Sequence, residues 1–336
     1  MAFISKIVLV AFMATAISGD LAATNATKND WQRYKTDFQK DYSTPVSDES
    51  RQLQFSKNLN EMKLNNELYK SGLVSFNQEI NEFSDWTPQE IDNLLGFKAD
   101  VLLSATNNTI WKAPVKDNYP PHHDWRSKGY VTPVKNQGRC GSCYIFSVIG
   151  AIEGSNRKKT ERLVSLSEQN MLDCGPAFTC SGGNPMMVYE LAKKGINSDK
   201  KYPYSGVKSK CRFDKNDIAG KVSGFNSIKF GDEAALKSAI FLQGPIAIGM
   251  DAKHASFMGY KSGIWSDPKC QSGVTKLNHA VLVVGYGTDP KTKKDYYICK
   301  NSFGTRWGEQ GYFKMERNNG NKCGQASIVS WPTAPM

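Results

Sequence analysis

Three features of the sequence predict an α+β protein, in which a helical N-terminal part precedes a body with one helical half and one β half. Apolar residues recur at helical spacing between Trp31 and Leu64. Beyond Gly231, apolar runs of strand length alternate with glycine-rich turns. Between these regions, residues 134–147 read V-K-N-Q-G-R-C-G-S-C-Y-I-F-S, a polar, glycine-containing turn that runs straight into an apolar helix. With 336 residues the chain is long enough for about two domains with sizeable cores.

Residues 1–18 read as a secretory signal peptide: Lys6 precedes the apolar run 7–16, and small residues follow. No later run approaches the roughly 18 apolar residues of a membrane helix. The expected product is therefore soluble and belongs to the secretory pathway, in a lysosome or outside the cell. Asn25 and Asn107 open N-x-T sequons, which are chemically possible glycan sites. Two helices are expected over residues 30–69: Trp31, Tyr34 and Phe38 mark the first, Ser43-Thr44-Pro45 breaks the pattern, and Leu53, Phe55, Leu59, Met62 and Leu64 mark the second. Residues 98–123, with their prolines, asparagines and threonines, suit an extended, cleavable connection.

The net charge of +11 is unevenly spread. Residues 20–116 hold 11 Lys and Arg against 14 Asp and Glu, whereas residues 117–336 hold 31 against 18. The lysines then simply keep a secreted domain soluble, or an acidic-leaning segment clamps a basic enzyme, or the basic enzyme is drawn to anionic matrix or membrane surfaces. Interleaved basic and aromatic runs are absent, so nucleic acid is not an expected partner.

Within the body, Ser167 is expected to cap a helix that leads to Cys174, and Gly182-Gly183 lets backbone approach a ligand closely. Further helices are expected over 186–194, ending at Gly195, and over 233–242. Strands are expected over 246–250, 281–285, 296–299 and 311–315. The helical half spans about 124–230 and the β half about 231–336, with a cleft between them as the natural ligand site.

Cys143 stands at the start of the apolar helix, where exposed N–H groups and the helix dipole favour thiolate. A sulfur nucleophile also needs a proton carrier, and the chain has four histidines. His122 and His123 follow Pro120-Pro121 and read as a surface approach, and His254 has no flanking apolar run. His279 opens N-H-A-V-L-V-V-G-Y-G, a buried strand that can hold its ring rigidly. Asn301, after the strand-like run 295–300, can accept a hydrogen bond from that ring. All eight cysteines lie beyond residue 139. With Cys143 free and Cys299 in an apolar strand, six remain, for three bridges in any of 15 connectivities. Cys140-Gly141-Ser142-Cys143 also fits a thiol–disulfide oxidoreductase, but that reading has no use for Gln137, His279 or Asn301. A zinc site would need a second ligand pair, which is missing, so neither metal nor cofactor is expected.

The C-G-S-C-Y turn, with His279 and Asn301 following Cys143 at 136 and 158 positions, resembles the papain-like cysteine peptidases of the cathepsin L type. Arg51, Phe55, Asn58 and Asn66 match part of their E-R-F-N-I-N motif, and Asn81, Phe83 and Asp85 part of their G-N-F-D motif. The resemblance implies a papain-like two-domain fold, with a helical left domain and a β-barrel-like right domain. It divides the chain into signal peptide (1–18), I29-like inhibitory pro-segment and linker (19–117) and peptidase domain (118–336), with the mature enzyme starting near 117–119. It implies Cys143 as nucleophile, His279 as acid/base, Asn301 as its orienter, and the Gln137 side chain with the Cys143 backbone N–H as oxyanion hole. Gly182-Gly183 becomes the edge that pairs with extended substrate. Pro185, Met186, Gly249, Leu277, Ala280 and Ile328 become the walls of a pocket for an apolar residue two positions before the cut. The implied disulfides are Cys140–Cys180, Cys174–Cys211 and Cys270–Cys323.

Implied partners are polypeptide substrates, the chain's own pro-segment and cystatin-type inhibitors, with the enzyme a monomer. A catalytically silent homologue that binds peptides is the alternative, although all four catalytic positions are filled. Two residues depart from the family pattern: Tyr144 stands where Trp is usual, and Phe303 replaces the Trp that shields the His–Asn pair and lines the first leaving-group pocket. If Glu79, Glu82 or Asp85 is ion-paired in the zymogen, its pKa is depressed there and acid should loosen the clamp.

Overall fold

In the computed structural model of the chain, residues 28–98, 109–114, 119–326 and 329–333 are described. The predicted signal peptide, Asn25, Asn107 and the pocket residue Ile328 lie outside them.

Helix α1 (Lys28–Asp37) packs across α2 (Pro45–Lys70), and Trp31, Tyr34, Phe55 and Leu59 close a small core of their own. The predicted break is where α2 begins: Thr44 accepts from the Ser47 amide, Ser47 returns the bond, and Pro45 occupies a first-turn position that needs no N–H donor. The apolar stripe is narrower than the spacing predicted, because Leu53 is 74% exposed. Strand β1 (Phe76–Gln78) follows. Helix α3 (Pro88–Leu94) is capped by Thr87 in a box with Glu90. Strand β2 (Thr109–Ile110) comes from the linker.

The body starts with β3 (His123–Asp124). Next come α4 (Cys143–Thr160), α5 (Glu168–Cys174), α6 (Pro185–Ala192) and the short pair β4 (Ile196–Asn197) and β5 (Ile218–Gly220). The β half comprises β6 (Gly224–Ser227), α7 (Glu233–Gln243), β7 (Ile246–Met250), α8 (Ala255–Met258) and β8 (Tyr260–Trp265). It ends with β9 (His279–Thr288), β10 (Asp295–Lys300), β11 (Tyr312–Glu316) and β12 (Val329–Thr333). The large sheet runs β1-β8-β11-β10-β9-β7-β12-β6-β2, with β3 paired to β9. It is an open path rather than a closed barrel. Both of its end strands, β1 and β2, come from the segment ahead of residue 119, so that segment covers the two sheet edges that would otherwise present unpaired N–H and C=O groups.

Ser167 caps α5 by accepting from the Asn170 amide at 2.9 Å. Helix α6 stops at Ala192, short of the predicted 194, and Gly195 lies beyond it at φ +113°, packed against Ile218. His123 is not a surface residue: pairing with β9 draws it inside, edge-on to Trp125 and Phe241. His254 is half-buried and meets Asp251 at 3.0 Å. The disulfides are Cys140–Cys180, Cys174–Cys211 and Cys270–Cys323, and Cys143 and Cys299 are free and buried.

Among the described residues, two of the three carboxylates named from the sequence, Glu79 and Asp85, are ion-paired, and Glu82 is not. Glu79 pairs with Lys261 at an exposed edge, and Asp85 meets Lys40 at 3.0 Å. Glu82 is instead raised, because burial outweighs Arg306 and Lys40. In the same segment Glu90 is held well below the usual carboxylate range. Burial works against it, but the paired Arg51 guanidinium and the Thr87 donors bring it to about 2.

Candidate active site

Helix α4 is buried along Cys143 to Gly154 because it threads between the two halves, and its first residue is Cys143. The preceding turn is pinned by the Cys140–Cys180 disulfide and by the Gln137 amide on the Ser302 carbonyl at 2.8 Å. Beneath it the buried Glu153 of α4 accepts from Lys135, whose Nζ also meets Glu168 at 2.8 Å. The turn and the helix of Cys143 therefore move as one unit.

Strand β9 begins at His279, opposite Met250 of β7, and β10 ends just before Asn301. His279 Nε2 lies 2.9 Å from Asn301 Oδ1 in a fully buried contact. An amide oxygen only accepts, so Nε2 carries the proton and Nδ1 is left as the basic nitrogen. That Nδ1 is buried and has no hydrogen-bond partner among the described residues. Phe303 lies 5.1 Å from the imidazole and is itself packed by Phe257, Trp307 and Phe83. The smaller ring still excludes water here, partly because Phe83 backs it.

Gln137 is also fully buried. Ser302 Oγ donates to its Oε1 at 2.6 Å, which turns Nε2 outward to donate to the carbonyls of Cys140 at 2.9 Å and Leu94 at 3.0 Å. Leu94 belongs to the N-terminal segment, whose next residues cross directly over the thiol. The Gly183 amide donates to the Gly96 carbonyl at 2.8 Å, the Lys98 amide to the Gly183 carbonyl at 3.0 Å and the Phe97 amide to the Asn278 carbonyl at 3.0 Å. Phe97 is buried in the cluster that holds Met186, Leu277 and Ala280. Gly249 faces its ring, where an added Cβ would lie 3.1 Å away. Pro185 opens α6 at the same place. No side chain fits at Gly96, since a Cβ there would lie 1.7 Å from the Gly141 carbonyl oxygen. Gly182, at φ +108°, abuts the Gly96 carbonyl, whose oxygen would lie 2.5 Å from an added Cβ.

This cover changes the chemistry of the dyad. Burial pushes the Cys143 thiol up to about 11, against the backbone donors that surround it, and pulls His279 down to about 4 despite Asn301. In the covered site desolvation works against the helix-terminus thiolate and favours a neutral thiol and a neutral imidazole.

The sequence reading missed the crossing residues Leu94, Gly96 and Phe97. The apolar run Leu94-Leu95-Gly96-Phe97 ahead of a polar linker was their only local signal. It also missed Ser302, between Asn301 and Phe303. The one described cluster of metal-ligand type, Asp251, His254 and Cys270, is compromised because Cys270 sulfur is bonded to Cys323.

Residues 119–333 match the papain family cysteine protease, and residues 31–91 match the cathepsin propeptide inhibitor domain (I29). The chain belongs to the papain family. Cathepsin L of Sarcophaga peregrina is 38% identical over 98% of this chain and 99% of its own length. Cathepsin S of Bos taurus is 39% identical over 90% and 91%. Digestive procathepsin L 3 of Tenebrio molitor larval midgut superposes with a TM-score of 0.83 at 35% identity, over 92% of this chain and all of that one. The papain-family chain is a cysteine-type endopeptidase zymogen that acts on polypeptides, and its I29 domain inhibits it intramolecularly. Among the described residues no helix is long and apolar enough to cross a membrane.

Proposed function

We propose that Cys143, His279, Asn301 and Gln137 hydrolyse peptide bonds through a thioester, with preference for an apolar residue two positions before the cut. The observation that carries this reading is the Leu94 carbonyl on Gln137 Nε2: a peptide carbonyl occupies the oxyanion donor of the predicted hole. In a substrate complex the Cys143 sulfur attacks such a carbonyl carbon. The C–S bond forms, and the electron pair of the C=O moves to the oxygen held by Gln137 Nε2 and the Cys143 amide. His279 Nδ1 has taken the thiol proton and delivers it to the leaving nitrogen as the C–N bond breaks. Water then gives Nδ1 a proton and attacks the thioester, which releases the acid and restores the thiol. Asn301 keeps the imidazole in the tautomer these steps need.

Phe97 supports the specificity. It fills an uncharged pocket formed with Met186, Gly249, Leu277 and Ala280, where an unpaired arginine would be costly to bury. Phe97 lies three residues after the carbonyl on Gln137, whereas a substrate's pocket residue precedes its scissile carbonyl. The pro-segment thus runs in reverse, fills the site and offers no bond for attack.

Processing is expected near 117–119, where the linker, once loosened by acid, can be cut in a neighbouring active site or in its own. The signal-peptide pattern and the three disulfides support a secretory destination, lysosomal or extracellular, where a monomer would meet cystatin-type inhibitors.

The test is turnover of peptide substrates by processed variants. Cys143→Ala and His279→Ala abolish it, Asn301→Ala reduces it, and His254→Ala leaves it intact. Equal damage from His254→Ala would sink the assignment. Comparable cleavage after Arg-Arg and Phe-Arg pairs would sink the specificity.

A further inference from the structure

Ser142 is the residue before Cys143 and the N-cap of α4, yet its hydroxyl makes no cap hydrogen bond. Serine is favoured at that position because Oγ normally takes a first-turn N–H, and Ser167 at α5 does so. The Ser142 hydroxyl is turned instead toward Tyr204, with Oγ and Oη 2.7 Å apart. Tyr204 O–H reaches the Gln137 backbone carbonyl at 3.1 Å. Ser142 Oγ also lies 3.4 Å from the Cys140 carbonyl oxygen. A phenol has one proton to give: with that proton on the Gln137 carbonyl, Ser142 Oγ–H donates to Tyr204 Oη, and in either direction Tyr204 Oη joins Ser142 to the Gln137 backbone. Burial raises the Tyr204 hydroxyl to about 12, so it stays a donor throughout the working range. The ring itself is held edge-on by Phe146 of α4 at 4.9 Å.

The two residues joined by this relay are those on which the oxyanion hole depends. Gln137 supplies the side-chain donor, and Ser142 precedes the backbone donor of Cys143. The Ser302 hydrogen bond and the 140–180 disulfide act on the Gln137 side chain and on Cys140. Tyr204 bridges the two ends of the turn by a path of its own, from a loop that lines no part of the cleft described above.

We propose that Tyr204, through Ser142, is a positioning residue that sets the separation of the Gln137 Nε2 and Cys143 N–H donors. The proposal rests on the oxyanion-hole reading of the site. Loss of a whole oxyanion donor costs about 100- to 1,000-fold in kcat, and loss of its alignment should cost less. In the processed enzyme Tyr204→Phe is expected to lower kcat roughly tenfold with KM unchanged, and to weaken a peptide aldehyde by the same factor. The aldehyde adds Cys143 sulfur to its carbonyl carbon, and its oxygen must sit in the hole. Alkylation of Cys143 by iodoacetamide creates no oxyanion, so its rate should stay within about twofold of wild type.

Ser142→Ala approaches from the other end and should behave alike. The double variant should be no worse than Tyr204→Phe, since both cut one relay. Unchanged aldehyde affinity, alkylation that falls in step with kcat, or additive losses would each overturn the proposal. Turnover that persists in Cys143→Ala would instead overturn the reading of the site on which it rests.

Discussion

The pro-segment grips the enzyme in two regions, and different forces act in each. Where it crosses the cleft, residues 94–98 are held by backbone hydrogen bonds to Gln137, Gly183 and Asn278 and by the buried ring of Phe97, and none of the contacts described there is an ion pair. Where it lies along the β half, β1 pairs with β8, Asn81 donates to the Met258 carbonyl and Glu79 pairs with Lys261, while Arg51 with Glu90 and Lys40 with Asp85 brace the segment itself in the shape that makes those contacts. The crossing blocks the site by shape and desolvation. The clamp supplies most of the groups that pH can reach, so acid should act on the clamp and free the cleft as a consequence.

The severest way to break this comparison is steric. Gly96→Val puts a side chain where the Gly141 carbonyl already stands. Overpacking costs about 1–3 kcal/mol and occasionally more, or roughly 5- to 150-fold in the population of the open cleft. In intact zymogen near neutral pH, alkylation of Cys143 should accelerate by that factor, with the clamp's tryptophan fluorescence unchanged. Equal alkylation rates would mean that the crossing does not control access to the thiol.

The body was the more legible of the two regions. Cys143, His279 and Asn301 could be named because each stands at the end of a strongly patterned apolar run, so local periodicity fixed where the chain delivers it. His123 was misplaced because its burial comes from pairing with β9, more than 150 residues away, which no local pattern records. The thiolate favoured at the start of α4 is opposed in the covered site for a related reason. The helix terminus is local, whereas the desolvation that overrides it comes from Gly96 and its neighbours lying over the thiol. The Leu94–Phe97 crossing was missed because backbone carries most of its function, and backbone leaves little trace in side-chain chemistry.

A smaller perturbation sharpens the electrostatic side. Glu90 stands at about 2 in the zymogen against an ordinary 4.5. A carboxyl depressed on folding stabilises fully above its free value and loses that contribution as pH falls through the bound one. The Arg51–Glu90 pair therefore holds above about pH 5 and gives way mostly below 4.5. Glu82, raised by burial, works in the opposite sense: its charge costs stability near neutrality, and protonation relieves that cost. Glu90→Gln should weaken the clamp by roughly 1–2 kcal/mol above pH 5. In the uncleavable Cys143→Ala zymogen, an acid titration followed by tryptophan fluorescence should show a higher midpoint and a shallower slope below 4.5. An unchanged titration would remove Glu90 from the acid response.

The smallest effect is expected at Glu79, although it pairs with Lys261 beside the β1–β8 ladder. Both side chains are about half exposed, at 55% and 46%. Water screens such a pair, and holding two long side chains in one geometry has an entropic cost, so exposed pairs contribute between about 0 and 1 kcal/mol. Glu79→Gln should then raise alkylation of Cys143 in the zymogen by less than about fivefold. The difference should disappear near 1 M salt, where the Debye length is about 3 Å, whereas the Gly96→Val effect should persist because steric overlap is not screened. A Glu79→Gln effect as large as that of Glu90→Gln, or one insensitive to salt, would mean that this edge of the clamp is held by the charge and not by the backbone pairing of β1 with β8.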